Sequence, residues 1–155
     1  MTRSIRLYQD GDENTIAEIW LRSGRAAYTF LPFWQTFSLE EANKVVADII
    51  IPSCRIWVGL KDDVIVAFLS MDGHIIDRLF VIPEAWRQGW GSRLIECAKK
   101  ESPERLELYT HQENHAAWAL YEEHGFQAVE FGMSPPPESA PDVRYVWERP
   151  ILAED

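Results

Sequence analysis

Long apolar runs, a basic charge excess and a usable cysteine pattern are all missing from this 155-residue chain. No stretch approaches the ~20 consecutive apolar residues of a membrane span, so no membrane partner is expected. Lys and Arg number 15 against 25 Asp and Glu, for a formal net charge of −10. A nucleic-acid binder needs a basic footprint, so no nucleic-acid partner is expected either. An acidic surface instead suits a cationic substrate or a basic protein partner. Cys54 and Cys97 stand far apart without ligand spacing, which excludes a disulfide framework and a zinc site as expectations. A Walker lysine and a six-residue dinucleotide fingerprint are absent too, which argues against a nucleotide-binding domain. Met1-Thr2-Arg3-Ser4 leads straight into alternating residues with no signal-peptide core, so a cytoplasmic protein is expected.

What the chain does hold is apolar and aromatic material, with 46% hydrophobic residues and seven tryptophans. That composition suits one globular domain over residues 1–155, long enough for a proper core. Hydrophobic spacing predicts strands at Ser4–Gln9, Arg55–Leu60, Val64–Met71, His74–Val81, Leu106–Tyr109, Phe126–Phe131 and Val143–Glu148. Helices are predicted from Asp12 to about Tyr28, from Ser38 to Pro52, from Gly91 to Lys100 and from Asn114 to His124. Ser38 with Glu41 forms a capping box, and Asn114 is a good N-cap. Gly125 fits the left-handed position after the last helix, with Phe126 folding back as its apolar contact. The aromatic segment Phe30–Phe37 is broken by Pro32, and Ser134–Pro141 is a proline-rich loop expected to be extended and exposed.

The stretch Leu79–Ile95 carries the strongest chemical signal. A strand stops at Pro83, and Gly89 and Gly91 then open an amphipathic helix. Without a Cβ, such positions let backbone N–H groups come close to a ligand at the positive end of a helix, which favours an anion. The simpler reading is that both glycines only permit a tight turn and close packing. A lone G-x-G does not separate the two.

Two phrases in order give the chain a family resemblance. Leu79-Phe80-Val81-Ile82-Pro83 precedes Trp86-Arg87-Gln88-Gly89-Trp90-Gly91, and Asn114-His115-Ala116-Ala117-Trp118-Ala119-Leu120-Tyr121 precedes Gly125-Phe126. Together they resemble the GNAT superfamily of acetyl-CoA-dependent N-acetyltransferases. The resemblance implies an α/β GNAT fold: a central mixed, mostly antiparallel twisted sheet of about 6–7 strands, flanked by about 4 helices and splayed between the fourth and fifth strands. One departure is visible. Trp86 stands where the family has Gln or Arg, with Arg87 one place later.

What the resemblance implies about chemistry is direct transfer. An amine attacks the acetyl thioester and coenzyme A leaves as the thiolate; no metal is implied. The splayed edge at Leu79, Phe80 and Val81 would pair with pantetheine, with a backbone N–H near Phe80 or Val81 facing the oxyanion. Arg87, Gln88, Gly89, Trp90, Gly91 and Ser92 would hold the diphosphate, and Asn114 the pantetheine arm or the splayed strand. Tyr121 matches the tyrosine that protonates the thiolate; its simpler reading is a core residue. The base stays open. The position of the glutamate used by the histone-acetylating branch is Ile75 here. Asp77 shares the strand parity of Ile75 and Leu79 and is favoured as base or amine anchor, with His74 and His111 as other candidates. Tyr28, Phe30, Trp34 and His111 are expected to wall the acceptor pocket; the aromatics would otherwise seal the core. The acceptor is an amine-bearing small molecule or a protein lysine or N-terminus, and a homodimer is compatible with the resemblance. The competing class is a non-catalytic acyl-CoA sensor of the same fold, which thiol release in the presence of amines would separate.

Overall fold

In the computed structural model, residues 2–151 are described. Seven strands form one sheet in the order β1-β2-β3-β4-β5-β7-β6. They are β1 (Arg3–Leu7), β2 (Arg55–Lys61), β3 (Val64–Asp72), β4 (Ile75–Val81), β5 (Arg105–His111), β6 (Gln127–Met133) and β7 (Pro141–Glu148). All neighbours run antiparallel except β4 and β5. Strands β2 and β3 are buried nearly end to end, so they read as continuous apolar runs; β6 lies at the edge and is exposed throughout.

Helices cover both faces. α1 (Glu13–Ala27), α2 (Pro32–Thr36) and α3 (Leu39–Val45) pack with Phe68 and Val58 on one side. α5 (Trp90–Glu101) and α6 (His115–Glu123) pack with Leu69, Leu106 and Tyr145 on the other. Alternate residues of β3 therefore feed two separate cores. The Ser38–Glu41 capping box forms in both directions, as its sequence predicts. The helix it opens widens into a π-turn over Val46–Ile50 and closes with α4 (Ile51–Ser53), so Pro52 lies inside its last turn. The ending of α6 is a Schellman motif: Phe126 N–H reaches Tyr121 O at 3.0 Å, Gly125 N–H reaches Glu122 O at 3.1 Å, and Gly125 sits at φ +88°.

Two sequence expectations need correction. The segment around Pro32 is not merely broken, because Pro32 occupies the first turn of α2, where its missing N–H costs nothing. The parity argument for Asp77 also fails. Met71 pairs Ile76 while Ser70 pairs Arg78, so a bulge leaves Asp77 unpaired and breaks the strict alternation between Ile75 and Leu79.

Candidate active site

Strands β4 and β5 pair at one position only, Ile75 with Glu107, backed by Glu107 N–H on His74 O at 3.1 Å. Beyond that point they part. Ile82 N–H turns to Val66 O of β3, so antiparallel alternation turns the backbone groups of Leu79 and Val81 toward the gap, and those of Phe80 toward β3. The free edge thus belongs to Leu79 and Val81. Phe80 instead sends its ring into the opposite core, 6.4 Å from Trp34.

At one end of the gap the Pro83–Gly91 segment forms a backbone cradle. Gly89 caps α5 at φ +84°, with no side-chain cap, so the N–H groups of Trp90, Gly91 and Ser92 are left for a ligand or water. Arg87 also has positive φ, at +62°. The two glycines have different tasks. A Cβ on Gly89 would meet only Arg3 Nη1, at 4.0 Å, so the need there is conformational. A Cβ on Gly91 would meet Leu120 Cδ2 at 2.8 Å, so that glycine lets α5 approach α6. The Trp90 indole lies under the cradle, 1% exposed, where a Cβ on Gly59 would meet its ring at 2.8 Å.

Trp86 explains the family departure in local terms. Its indole Nε1 donates to Val81 O at 2.7 Å, and Ser23 Oγ donates to the same oxygen at 2.9 Å. The Trp86 indole thus closes one carbonyl of the free edge. Sequence reasoning also missed Arg3 and Lys61. Arg3 donates to Gln88 O, and Lys61 Nζ reaches Gln88 Oε1 at 3.1 Å. Both belong to β1 and β2, far from the motif in sequence, so no local pattern marks them.

Asn114 bridges the two ends. Its Oδ1 accepts from Ala117 N–H at 3.2 Å as an N-cap, and its Nδ2 donates to Tyr28 hydroxyl at 3.2 Å. Tyr121 is 8% exposed and its ring packs, tilted, against Phe126 and Tyr145. Burial, with Tyr28 nearby, pushes its phenol well above the ordinary range, so it stays protonated through neutral pH.

The four aromatic and imidazole candidates converge at the other end. Tyr28 lies 4.6 Å from His111 and 5.7 Å from Trp34 between ring centroids, and Phe30 lies 6.3 Å from His111. Trp34 also seals the core, because a Cβ on Gly24 would meet its ring at 2.1 Å. The group gains a member that sequence reasoning did not name. Glu138 Oε2 accepts from Trp34 Nε1 at 3.1 Å and lies 3.0 Å from His111 Nε2. The proline-rich loop is exposed at Pro135–Pro137, as its sequence predicts, but turns the Glu138 side chain inward. Asp77 stands apart: its Oδ2 lies 2.5 Å from Arg78 Nη1 and 3.1 Å from Ser70 Oγ. The same carboxylate and burial push the neighbouring Cys54 thiol up to about 12. His74, the remaining base candidate, is spent on Glu107 at 2.8 Å.

A seven-stranded sheet that opens after one parallel pair, with a glycine cradle on the following helix, is the architecture of the GNAT class. The chain belongs to the acetyltransferase (GNAT) family, whose model matches residues 14–126. It is 31% identical over 130 residues to the peptidyl-lysine N-acetyltransferase YjaB of Salmonella typhimurium, covering 83% of this chain and 86% of that protein. It is 29% identical over 129 residues to the peptidyl-lysine N-acetyltransferase YiaC of Escherichia coli, covering 81% and 84%. In fold it is similar to apo YjaB of Escherichia coli, with a TM-score of 0.75, 24% identity, and 97% and 100% of the two chains covered. No helix among the described residues is long and apolar enough to cross a membrane, and no group of three or more His, Cys, Asp or Glu among them is placed to hold a metal.

Proposed function

We propose that this protein transfers the acetyl group of acetyl-CoA directly to the ε-amine of protein lysine side chains. The observation that carries the reading is the single ladder pair between β4 and β5, which leaves an unpaired edge between a backbone cradle and an aromatic cluster that holds the Glu138 carboxylate. The lysine class is supported by the named activities of YjaB and YiaC, and by Glu138, which sets a carboxylate among aromatic rings where a cationic chain would enter.

The residues fit acetyl-CoA in kind. Free N–H groups at the start of α5 suit a diphosphate, with Arg87, Arg3 and Lys61 supplying charge. Leu79 and the Val81 N–H offer pairing to an extended pantetheine arm, and the Val81 N–H is the donor on that edge left for a developing oxyanion. When bound, acetyl-CoA supplies the activated acetyl thioester. Tyr121 keeps a proton available for the departing sulfur, and Asn114 holds Tyr28 against His111.

A thiol-release screen across lysine peptides, polyamines, amino acids and aminoglycosides tests the reading, with calorimetric titration of acetyl-CoA beside it. Thiol release that depends on lysine peptides is the expected result. Binding without release under any amine marks an acyl-CoA sensor instead, and no binding at sub-millimolar concentration removes the cofactor assignment.

A further inference from the structure

A lysine ammonium of pKa ~10.4 must lose a proton before it can attack, and the reading above names no acceptor for it. His111 closes β5 and is 8% exposed. Burial alone would raise the Glu138 carboxyl, but the hydrogen bonds from His111 and Trp34 and the charge of Arg78 hold it below the ordinary glutamate range. It is therefore a carboxylate at neutral pH, able only to accept. A carboxylate facing Nε2 fixes the neutral imidazole with its proton on Nε2 and leaves the lone pair on Nδ1. That Nδ1 is buried and meets no hydrogen-bond partner among the described residues. A buried acceptor left empty costs stability, and its retention marks a place where a ligand or water brings the donor.

The position agrees. Strands β4 and β5 run parallel from the Ile75–Glu107 pair, so four residues along each sets His111 level with Leu79, or with Phe80 once the bulge at Asp77 is counted. Phe80 in turn lies 6.4 Å from Trp34, which holds Glu138. The register thus sets His111 on β5 at the level of Leu79 and Phe80, on the strand across the gap from the free edge.

Resting on the acetyltransferase reading, we propose that His111 takes the proton of the acceptor amine at Nδ1, and that Glu138 is the positioning residue that fixes its tautomer and balances the imidazolium. One proton passes from the ammonium to Nδ1. The neutral nitrogen then forms the C–N bond as the C–S bond breaks. Sulfur takes a proton from the Tyr121 hydroxyl, the surplus proton on nitrogen restores that hydroxyl, and the His111 proton leaves to water. The charged and titratable groups that face the imidazole are Glu138 from the loop, Asp142 opposite it on β7 and the phenol of Tyr28. Arg78 acts on Glu138 from β4 and is balanced by Asp77.

The test is the pH dependence of kcat/KM for His111→Asn and Glu138→Gln, with the fastest acceptor from the thiol-release screen. Melting temperature and coenzyme A affinity serve as controls. His111→Asn is expected to lose about 10²-fold at neutral pH with coenzyme A affinity within about twofold. The loss should shrink as pH rises toward the pKa of the amine, where the acceptor deprotonates unaided. Glu138→Gln is expected to lose about tenfold and to move the acidic limb to lower pH, with Glu138→Asp recovering part of the loss. Nitrogen NMR of the imidazole gives a reading that needs no turnover, with protonation at Nε2 expected in the wild type. A loss that does not change with pH, unchanged turnover in His111→Asn, or protonation at Nδ1 overturns the proposal while leaving acetyl transfer intact. Absence of thiol release with every acceptor overturns the acetyltransferase reading itself.

Discussion

The cradle at Gln88–Ser92 is built from backbone supplied by one short segment, whereas the cluster around Tyr28 is built from side chains supplied by four. Tyr28 follows α1, Trp34 lies on α2, His111 ends β5 and Glu138 belongs to the β6–β7 loop, with 104 residues between Trp34 and its partner. Backbone N–H groups at a helix start need only the right dihedral angles, and those are encoded by adjacent residues. Side-chain pockets need the whole fold to be in place. The first kind of site keeps its sequence signature across a family, while the second can change its members without touching the scaffold.

Substitutions can break this contrast, and the largest expected effect is at Trp34. Because the indole fills the space over Gly24 and packs edge-on against Trp20 and Phe37, Trp34→Ala should cost about 3–5 kcal/mol in urea unfolding. Trp34→Phe separates the two roles: it keeps most of the packing and loses only the bond to Glu138, so acceptor KM should rise more than stability falls. Tyr121→Phe should lower kcat by about 10²-fold, with coenzyme A affinity and melting temperature nearly unchanged. Unchanged turnover would return Tyr121 to a purely structural role.

The cradle itself offers a pair of opposite signs. Gly89→Ala forces a side chain into φ +84° and should cost about 1–2 kcal/mol, together with weaker coenzyme A binding by titration. Arg87→Gly relieves the same left-handed strain and should stabilise the fold by up to about 1 kcal/mol. If Arg87 replaces the charge that Trp86 displaces, the same variant binds coenzyme A several-fold more weakly; equal affinity would reduce the cradle to backbone alone. The smallest effect is a pH dependence. Asp12 is held low by its hydrogen bond from Arg6, Glu107 by those from His74 and Arg144, and Glu138 by His111 and Trp34. Depressed carboxyls add stability that is complete above their unfolded pKa of about 4 and is lost as pH falls through their folded values. Melting temperature should therefore drop below about pH 4, and Glu138→Gln should flatten that part of the curve.

The elements were legible because each has a local cause. The capping box at Ser38 and Glu41, the Asn114 cap and the Gly125 ending all formed where their residues stand. The convergence of Tyr28, Phe30, Trp34 and His111 was expected from the family pattern, and the geometry brings them within ring contact. The face of Asp77 was not legible, because alternation holds only while register holds, and a one-residue bulge against Ser70 and Met71 leaves no mark in the strand's own composition. Glu138 was hidden for another reason. A glutamate among prolines looks solvated until the partners that turn it inward, His111 and Trp34, are placed beside it.

Hydrophobic period and dihedral preference thus determined the strands, the helices and the glycine cradle, and the resemblance carried by two short phrases pointed to the family and its splayed sheet. Tertiary structure alone decided that Trp86 closes the Val81 carbonyl, that Gly91 makes room for Leu120 and that a carboxylate from a distant loop meets His111. Those are contacts across the sheet and between its loops, and they follow from where the chain passes, not from which residues adjoin one another along it.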